Sequence, residues 1–274
     1  MKLALHDDRA VIVLDGEIVD LATASEGRFG PGLASVYDHW NEVRALADTI
    51  STGTGPLDEA RLGKPVEPRQ VFAIGLNYRA HAAETGATVP EVPATFTKFP
   101  ACLTGPYDAV ELSGDTVDWE VELVVVIGTR ADRVAEADGW SHVAGLTIGQ
   151  DISDRTLQVA AGRQFSLGKS YRGYGPVGPF VVTPDELADP DDLGLGCSVD
   201  GEVMQDSRTG DLVFSVPRLV AELSAVVPLL PGDIIFTGTP AGVGRGRQPP
   251  RYLQSGNVLE TWIEGIGTMR NRFV

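Results

Sequence analysis

The sequence predicts an α+β fold that is mostly β, and three observations lead to this prediction. Short apolar runs are separated by Gly and Pro, of which the 274-residue chain has 32 and 18. These runs do not alternate with helical patterns, which argues against a doubly wound parallel sheet. Asp15-Gly16 lies between two apolar runs, and this pair favours a hairpin because both residues tolerate the positive φ of a tight turn.

The first 68 residues are predicted to form a small N-terminal α+β domain with its linker. The Gly, Pro and Thr residues of 51–56 are typical of such a linker. Residues 69–274 form the second, larger domain in this interpretation. Within the N-terminal part, strands are predicted at 3–5, 9–14 and 17–21, and a helical stretch at 35–50.

Charge and composition exclude several classes of partner. The formal net charge is −16, which argues against nucleic acid or an anionic membrane as a partner because like charges repel. No apolar stretch is long enough to span a membrane, and charged residues follow Met1 too soon for a signal peptide. We therefore expect a cytoplasmic protein in which Cys102 and Cys197 are free thiols.

The strongest chemical signal is a pair of glutamates in residues 118–128. Glu120 and Glu122 lie two residues apart in a β-branched run, so on a strand their side chains point to the same side. Neighbouring carboxylates on a buried strand repel each other and lose hydration, and a divalent cation with oxygen ligands would offset that cost. A solvated acidic face on an edge strand is the alternative.

Asp151 is the candidate for a third carboxylate ligand. It follows a second apolar stretch, residues 143–148, and so lies at the predicted end of a strand. Three carboxylates would suit Mg²⁺ or Mn²⁺ and leave positions open for water and substrate, and Ca²⁺ could occupy the same site in crystals. Asp151 could instead cap a turn or a helix, and Asp154 is a second candidate for such a cap.

Seven segments of the chain carry recognisable motifs: residues 75–81, 96–98, 118–123, 151–155, 168–170, 231–244 and 265–268. In this order they resemble the fumarylacetoacetate hydrolase family, across about three quarters of the chain. Each segment alone is a weak signal, but seven in order are a strong one. The resemblance implies that residues 69–274 are the catalytic domain with the mixed β-sandwich roll of this family. It also implies a homodimer and a small anionic 2-oxo acid as substrate.

The resemblance also implies three catalytic residues. His81 and Glu84 lie three apart on a predicted helix that ends near Gly86, and they match a pair that activates water on a mobile lid. Lys169 matches a lysine beside the metal that stabilises negative charge. From the residues alone, His81 and Glu84 could equally be a surface pair, and Lys169 an exposed lysine.

Four polar residues are candidates for contacts with the substrate: Lys98, Arg155, Gln158 and Thr239. Arg155 and Gln158 are three apart in a predicted helical turn and could bind a carboxylate, although Arg155 could equally pair with Asp151 or Asp154. Thr239 lies in a loop of small residues that permits close approach to a ligand. Phe-Pro follows Lys98, whereas in the family Pro often follows the lysine directly, so the conformation of this turn is not predicted.

Together these residues predict a divalent-metal-dependent hydrolase. It would cleave a carbon–carbon bond in a 2,4-dioxo acid, an acylpyruvate or a fumarylpyruvate-like acid, through a metal-stabilised enolate. The alternative forms the same enolate without water, as a decarboxylase or isomerase of oxaloacetate-like or 2-hydroxydienedioate substrates in aromatic catabolism. A catalytically degenerate protein that binds a small acid is the third hypothesis, because a fold does not fix a function.

Overall fold

The structure is a computed structural model that describes residues 1–160, 162 and 164–274. Strands form most of its regular structure, and the helices are short. The strands are β1 (Lys2–His6), β2 (Arg9–Leu14), β3 (Glu17–Asp20), β4 (Gly55–Pro56), β5 (Leu62–Gly63), β6 (Val71–Gly75), β7 (Ala94–Thr97), β8 (Leu103–Thr104), β9 (Val117–Asp118), β10 (Val121–Ile127), β11 (Val143–Gln150), β12 (Ser153–Asp154), β13 (Gly175–Val182), β14 (Gly194–Val199), β15 (Glu202–Arg208), β16 (Ile234–Phe236), β17 (Val258–Ile263) and β18 (Gly267–Arg272). The α-helices are α1 (Leu21–Ala24), α2 (Leu33–Asp38), α3 (Trp40–Ala47), α4 (Arg79–Glu84), α5 (Arg155–Ala160) and α6 (Val216–Ser224).

A 12-stranded mixed sheet organises the molecule, in the order β4-β3-β2-β1-β13-β11-β10-β16-β6-β7 with β5 beside β1 and β8 beside β13. Most neighbours are antiparallel, whereas β16 runs parallel to β6 and β13 runs parallel to β8. A four-stranded sheet, β15-β14-β17-β18, and a two-stranded sheet, β12-β9, complete the fold. This topology confirms the predicted α+β, mostly β class.

The core lies on both faces of the central sheet, and β10 shows why. Every residue of β10 is buried, and its side chains alternate between two clusters. Leu123 and Val125 pack in the cluster shared with the four-stranded sheet, whereas Val124 and Val126 pack in the cluster that contains α2 and α3. Each such side chain stabilises the fold by about 1.5 to 3 kcal/mol. An edge strand with a solvated acidic face is therefore excluded.

The N-terminal region continues the large sheet. The Asp15-Gly16 hairpin joins β2 to β3 as predicted, with φ angles of 48° and 83°. The predicted helical stretch forms α2 and α3, while part of the expected linker, Gly55–Pro56, pairs with β3 as a short strand. Because β1 pairs with β13, the two parts of the chain share one sheet, and the division at residue 68 stays a prediction.

Two further expectations concern helices and cysteines. The longest α-helix in the described part of the chain, α6, has 9 residues, and no helix there is long and apolar enough to cross a membrane. Cys102 and Cys197 are both buried free thiols, as predicted.

Candidate active site

Three carboxylates converge where β10 begins and β11 ends. One oxygen from each of Glu120, Glu122 and Asp151 lies within 4.8 Å of the others, and all three side chains are buried. Glu122 is on β10, but Glu120 lies in a break between β9 and β10, so the predicted continuous strand is interrupted. The backbone N–H of Asp151 donates to Glu120 O over 2.9 Å, and this bond holds the two segments side by side.

Two buried lysines partly neutralise this cluster. Lys169 Nζ lies 2.7 Å from Glu120 Oε2 and 2.5 Å from Asp151 Oδ2. Lys98 Nζ lies 2.7 Å from Asp151 Oδ1 and also donates to the carbonyls of Lys169 and Tyr174. Lys98 is fully buried, so its ammonium group contacts Asp151 from the protein interior.

The pKa values of two of these carboxyl groups, Glu120 and Glu122, are shifted in opposite directions. Burial raises the pKa of Glu120, but Lys169 and Arg155 outweigh burial and lower it to about 2. The pKa of Glu122 is raised well above its usual value by burial, and the neighbouring Asp151 and Glu120 raise it further. Glu122 accepts a 2.7 Å hydrogen bond from Gly238 N, yet this donor does not compensate for the repulsion.

This donor set fits a hard divalent cation. A cluster of three buried oxygen donors with excess negative charge is the environment that Mg²⁺, Mn²⁺ or Ca²⁺ prefers. Three buried carboxylate oxygens within 4.8 Å of one another repel, which also raises the pKa of Glu122, and this repulsion calls for positive charge at this point. Glu120, Glu122 and Asp151 could therefore hold a metal ion.

Arg155 pairs with partners that the sequence did not indicate. Its guanidinium contacts Asp118 Oδ2 through Nε at 2.8 Å and Glu120 Oε1 through Nη1 at 2.7 Å, rather than Asp151 or Asp154. Nη1 also donates to Gln158 Oε1 over 3.0 Å. These contacts differ from the alternative pairing that the sequence left open, because β12 pairs with β9 and so brings Asp118 next to Arg155.

Two buried glutamines stabilise the break between β9 and β10. Gln150 Oε1 accepts from Glu120 N over 2.9 Å, and Gln205 Oε1 accepts from Val121 N over the same distance. Gln205 Nε2 also donates to Thr239 Oγ1 over 2.8 Å. Gln205 therefore joins the carboxylate cluster to the loop that carries a predicted substrate residue.

The predicted histidine–glutamate pair forms on α4. His81 Nδ1 lies 3.3 Å from Glu84 Oε2, and Gly86 follows the helix with a φ of 67°, as its expected capping position requires. Glu84 Oε1 accepts a 2.9 Å hydrogen bond from Gly242 N. Burial raises the pKa of Glu84, but the hydrogen bonds from His81 and Gly242 outweigh burial and lower it.

One cavity of about 480 Å³ brings these groups together. We call the carboxylate cluster with Lys169 the carboxylate side of its lining, and the His81–Glu84 pair the α4 side. Lys98 is absent from the described residues that line it. The predicted site residues that do line the cavity are His81, Glu84, Glu120, Glu122, Asp151, Arg155, Gln158, Lys169 and Thr239.

Comparison with known proteins identifies the class. The family profile described as fumarylacetoacetate (FAA) hydrolase C-terminal matches residues 70–274. A crystal structure described as an HpcE protein from Mycobacterium smegmatis superposes with a TM-score of 0.96 at 48% identity, covering 100% of this chain and 99% of that one. The chain thus has the fold of a family that includes hydrolases and isomerases of small acids.

Two curated relatives are similar to this chain over most of its length. The oxaloacetate tautomerase Fahd2a, mitochondrial, of Rattus norvegicus is 41% identical, over 95% of this chain and 85% of the relative. The 2,4-didehydro-3-deoxy-L-rhamnonate hydrolase of Sphingomonas sp. (strain SKA58) is 43% identical, over 84% of this chain and 83% of the relative. The chain belongs to the fumarylacetoacetate hydrolase family, and it is an enzyme.

Three residues that hold the site residues in place were not predicted from the sequence. Asp118 precedes Glu120 by two positions, and the alternation that pairs the glutamates could have included it. Gln150 directly precedes Asp151, yet nothing local distinguishes a structural glutamine from a solvated one. Gln205 lies on β15, far from every motif, and no sequence signal points to it.

Proposed function

We propose that the chain is a divalent-metal-dependent hydrolase that cleaves the carbon–carbon bond of a 2,4-dioxo acid between carbons 3 and 4. The observation that carries the proposal is one cavity shared by three metal-type carboxylates, Lys169 and the His81–Glu84 pair. The name of the rhamnonate hydrolase supports the substrate class, because 2,4-didehydro denotes oxidation at carbons 2 and 4.

The residues of α4 suit the activation of water. With Nδ1 of His81 directed at Glu84, Nε2 is left to accept a proton from water. The hydroxide then adds to carbon 4, and cleavage leaves a carboxylic acid and the enolate of a pyruvate-type acid. Protonation of that enolate at carbon 3 completes the reaction, so one water is consumed and two acids are released.

The carboxylate side of the cavity suits the binding of the 2-oxo acid. Lys169 uses two of its three N–H donors on Glu120 and Asp151, so one is left for a substrate oxygen. Gln158 and Thr239 are neutral hydrogen-bonding groups that also line the cavity. Bound Mg²⁺ or Mn²⁺, held by Glu120, Glu122 and Asp151, would supply Lewis-acid stabilisation of negative charge on oxygen. We assign Lys98 to orienting Asp151 instead of contacting substrate.

Isomerisation or decarboxylation of an oxaloacetate-like acid is the second candidate function. The oxaloacetate tautomerase named among the relatives favours it. Such reactions need the carboxylate cluster and Lys169 but no attacking water. His81 therefore distinguishes the two functions.

Two further proposals concern the context of the enzyme. We expect a homodimer, in line with the family resemblance of the sequence. We also keep the cytoplasm as the proposed location, although the rat relative carries the word mitochondrial in its name.

A turnover assay tests the proposed function. Acetylpyruvate cleavage, oxaloacetate tautomerisation and CO₂ release from oxaloacetate are followed with Mg²⁺ and with EDTA. Metal-dependent loss of acetylpyruvate supports the hydrolase, whereas turnover of oxaloacetate alone supports the second candidate. Glu122→Gln should abolish the activity, and Glu260→Gln, an exposed glutamate on β17, is the matched control.

A further inference from the structure

The cationic side chains that line the cavity differ in whether they already have an ion-pair or hydrogen-bond partner. Lys169 contacts two carboxylates, and Arg155 contacts Asp118, Glu120 and Gln158. Arg245 also lines the cavity, but its side chain forms no ion pair or hydrogen bond with any residue that the structure describes. Among the described cavity residues, it is the cation whose guanidinium is free for a ligand.

The backbone at Arg245 is held in place by the active site itself. Asp118, the carboxylate that orients Arg155, accepts from Gly244 N at 2.7 Å and from Arg245 N at 2.9 Å. A Cβ on Gly244 would lie 2.7 Å from Asp118 Oδ1, so only glycine permits this approach. The position of Arg245 is therefore fixed relative to the carboxylate cluster.

The other side of this segment contacts the catalytic helix. A Cβ on Gly246 would lie 2.6 Å from the carboxyl carbon of Glu84, so the backbone at Gly246 directly contacts the Glu84 side chain. Arg245 is consequently placed beside the His81–Glu84 pair. In the proposed reaction this is the end of the cavity that receives the substrate beyond carbon 4.

Two nearby arginines show that this arrangement is particular to Arg245. Arg247 donates to Met204 O over 3.1 Å and lies over the Trp119 ring. Arg251 pairs with Glu202 at 2.6 Å. Neither of them lines the catalytic cavity.

We propose that Arg245 binds a second anionic group at the distal end of the substrate, so that the enzyme prefers dicarboxylates over acids with an apolar end. This inference rests on the proposed function and names its substrate class. A guanidinium binds a carboxylate through two parallel N–H donors, which gives orientation as well as affinity. A metal-bound 2-oxo acid at one end and Arg245 at the other would fix the substrate relative to His81.

A matched pair of substrates tests this specificity. The pair is 2,4-dioxoheptanedioate and 2,4-dioxoheptanoate, which differ only in a terminal carboxylate against a terminal methyl. Arg245→Gln should lower kcat/KM for the dioate by about 10- to 100-fold, the size of one charge-assisted hydrogen bond, and mostly through KM. It should change kcat/KM for the heptanoate by less than about 2-fold, and Arg245→Lys should restore part of the loss.

Arg251→Gln is the control, because it removes an equal charge from the same segment without touching the cavity. If Arg245→Gln slows both substrates equally, or neither, the distal-anion role is overturned. A loss in Arg251→Gln of the same size would also overturn it, since the effect would then be one of overall charge.

Binding of unreactive analogues separates this inference from the proposed function. 2-Oxoheptanedioate and 2-oxoheptanoate lack the carbonyl at carbon 4, so they bind without cleavage. Calorimetry with Mg²⁺ should show weaker binding of the dioate to Arg245→Gln by about 10-fold or more, with the heptanoate unchanged. This result would support Arg245 even if no dioxo acid is hydrolysed, and equal affinities for the dioate in both proteins would overturn it.

Discussion

The two sides of the cavity are built in different ways. Glu122 lies on β10, Glu120 directly precedes this strand and Asp151 directly follows β11. All three are at most 5% exposed and lie among buried lysines and glutamines. The His81–Glu84 pair lies on a helix of six residues, and Glu84 is tied to the rest of the molecule by one backbone hydrogen bond, from Gly242. The first side is part of the core, whereas the second is attached to it. We therefore expect substitutions in the carboxylate cluster to lower both stability and activity by a large amount, and substitutions on α4 to lower activity with little change in stability.

Asp151→Ala should have the largest effect. It removes a proposed metal ligand and leaves the buried ammonium groups of Lys98 and Lys169 without a shared counter-charge. Activity should be lost, and the free energy of unfolding should fall by about 3 to 5 kcal/mol, the usual cost of breaking a buried ion pair. Urea unfolding without added metal measures the second effect separately from metal binding.

Asp138→Ala, an exposed aspartate, is the control for Asp151→Ala. A loss below about 1 kcal/mol in Asp151→Ala would mean that the cluster is not part of the stabilising core.

His81→Gln should change the chemistry without changing the fold. Removing the base should slow acylpyruvate hydrolysis by about 10² to 10⁴-fold, the usual contribution of general base catalysis. The free energy of unfolding should change by less than about 1 kcal/mol, because glutamine keeps a hydrogen-bonding side chain at this buried position on a helix of six residues. Steady-state kinetics and urea unfolding on the same preparation measure both.

Retained turnover of oxaloacetate by His81→Gln would assign that reaction to the carboxylate side of the cavity. A large loss of stability in this variant would contradict the contrast between the two sides.

Gln205→Leu should give an intermediate effect, because Gln205 connects the core to the substrate loop. The change leaves the backbone N–H of Val121 and the carbonyl of Pro240 without their partner. Each lost partner of a buried group costs about 1 to 3 kcal/mol, so the free energy of unfolding should fall by at least about 2 kcal/mol. KM should rise as well, since Thr239 loses its hydrogen bond. Gln254→Leu, at an exposed position, should change neither quantity.

Glu84→Gln should have a small effect on stability, and one that depends on pH. The pKa of Glu84 is lowered in the folded state, so its charge stabilises the fold above about pH 4.3, the unfolded pKa, and this contribution disappears as pH falls through the lower folded pKa. The variant should lose about 1 kcal/mol at about pH 7, and the difference should shrink towards about pH 4. Urea unfolding at the two pH values measures it.

The control for that measurement is Glu91→Gln, an exposed glutamate a few residues further along. An unchanged difference across the pH range would mean that Glu84 acts through packing instead of charge.

Much of the site could be predicted because its chemistry is local in sequence. The spacing of Glu120 and Glu122 on an apolar run, and of His81 and Glu84 on a helical pattern, places each pair on one side of its own element. The hairpin at Asp15-Gly16 is equally local. Such features follow from the repeat of a strand or a helix, which the sequence displays directly.

The order of the motifs determined the family, and hence the mixed roll and the carboxylate, histidine and lysine positions within it. The tertiary structure alone decided which partners those residues have. Lys98 meets Asp151 across 53 residues, Gln205 meets Val121 across 84, and Asp118 meets the backbone of Arg245 across 127. Such contacts depend on which strands become neighbours in the sheet, and a residue's own surroundings in the chain carry no record of that choice. The free guanidinium of Arg245 is a result of the same kind, because only the packed structure shows which cations already have a partner.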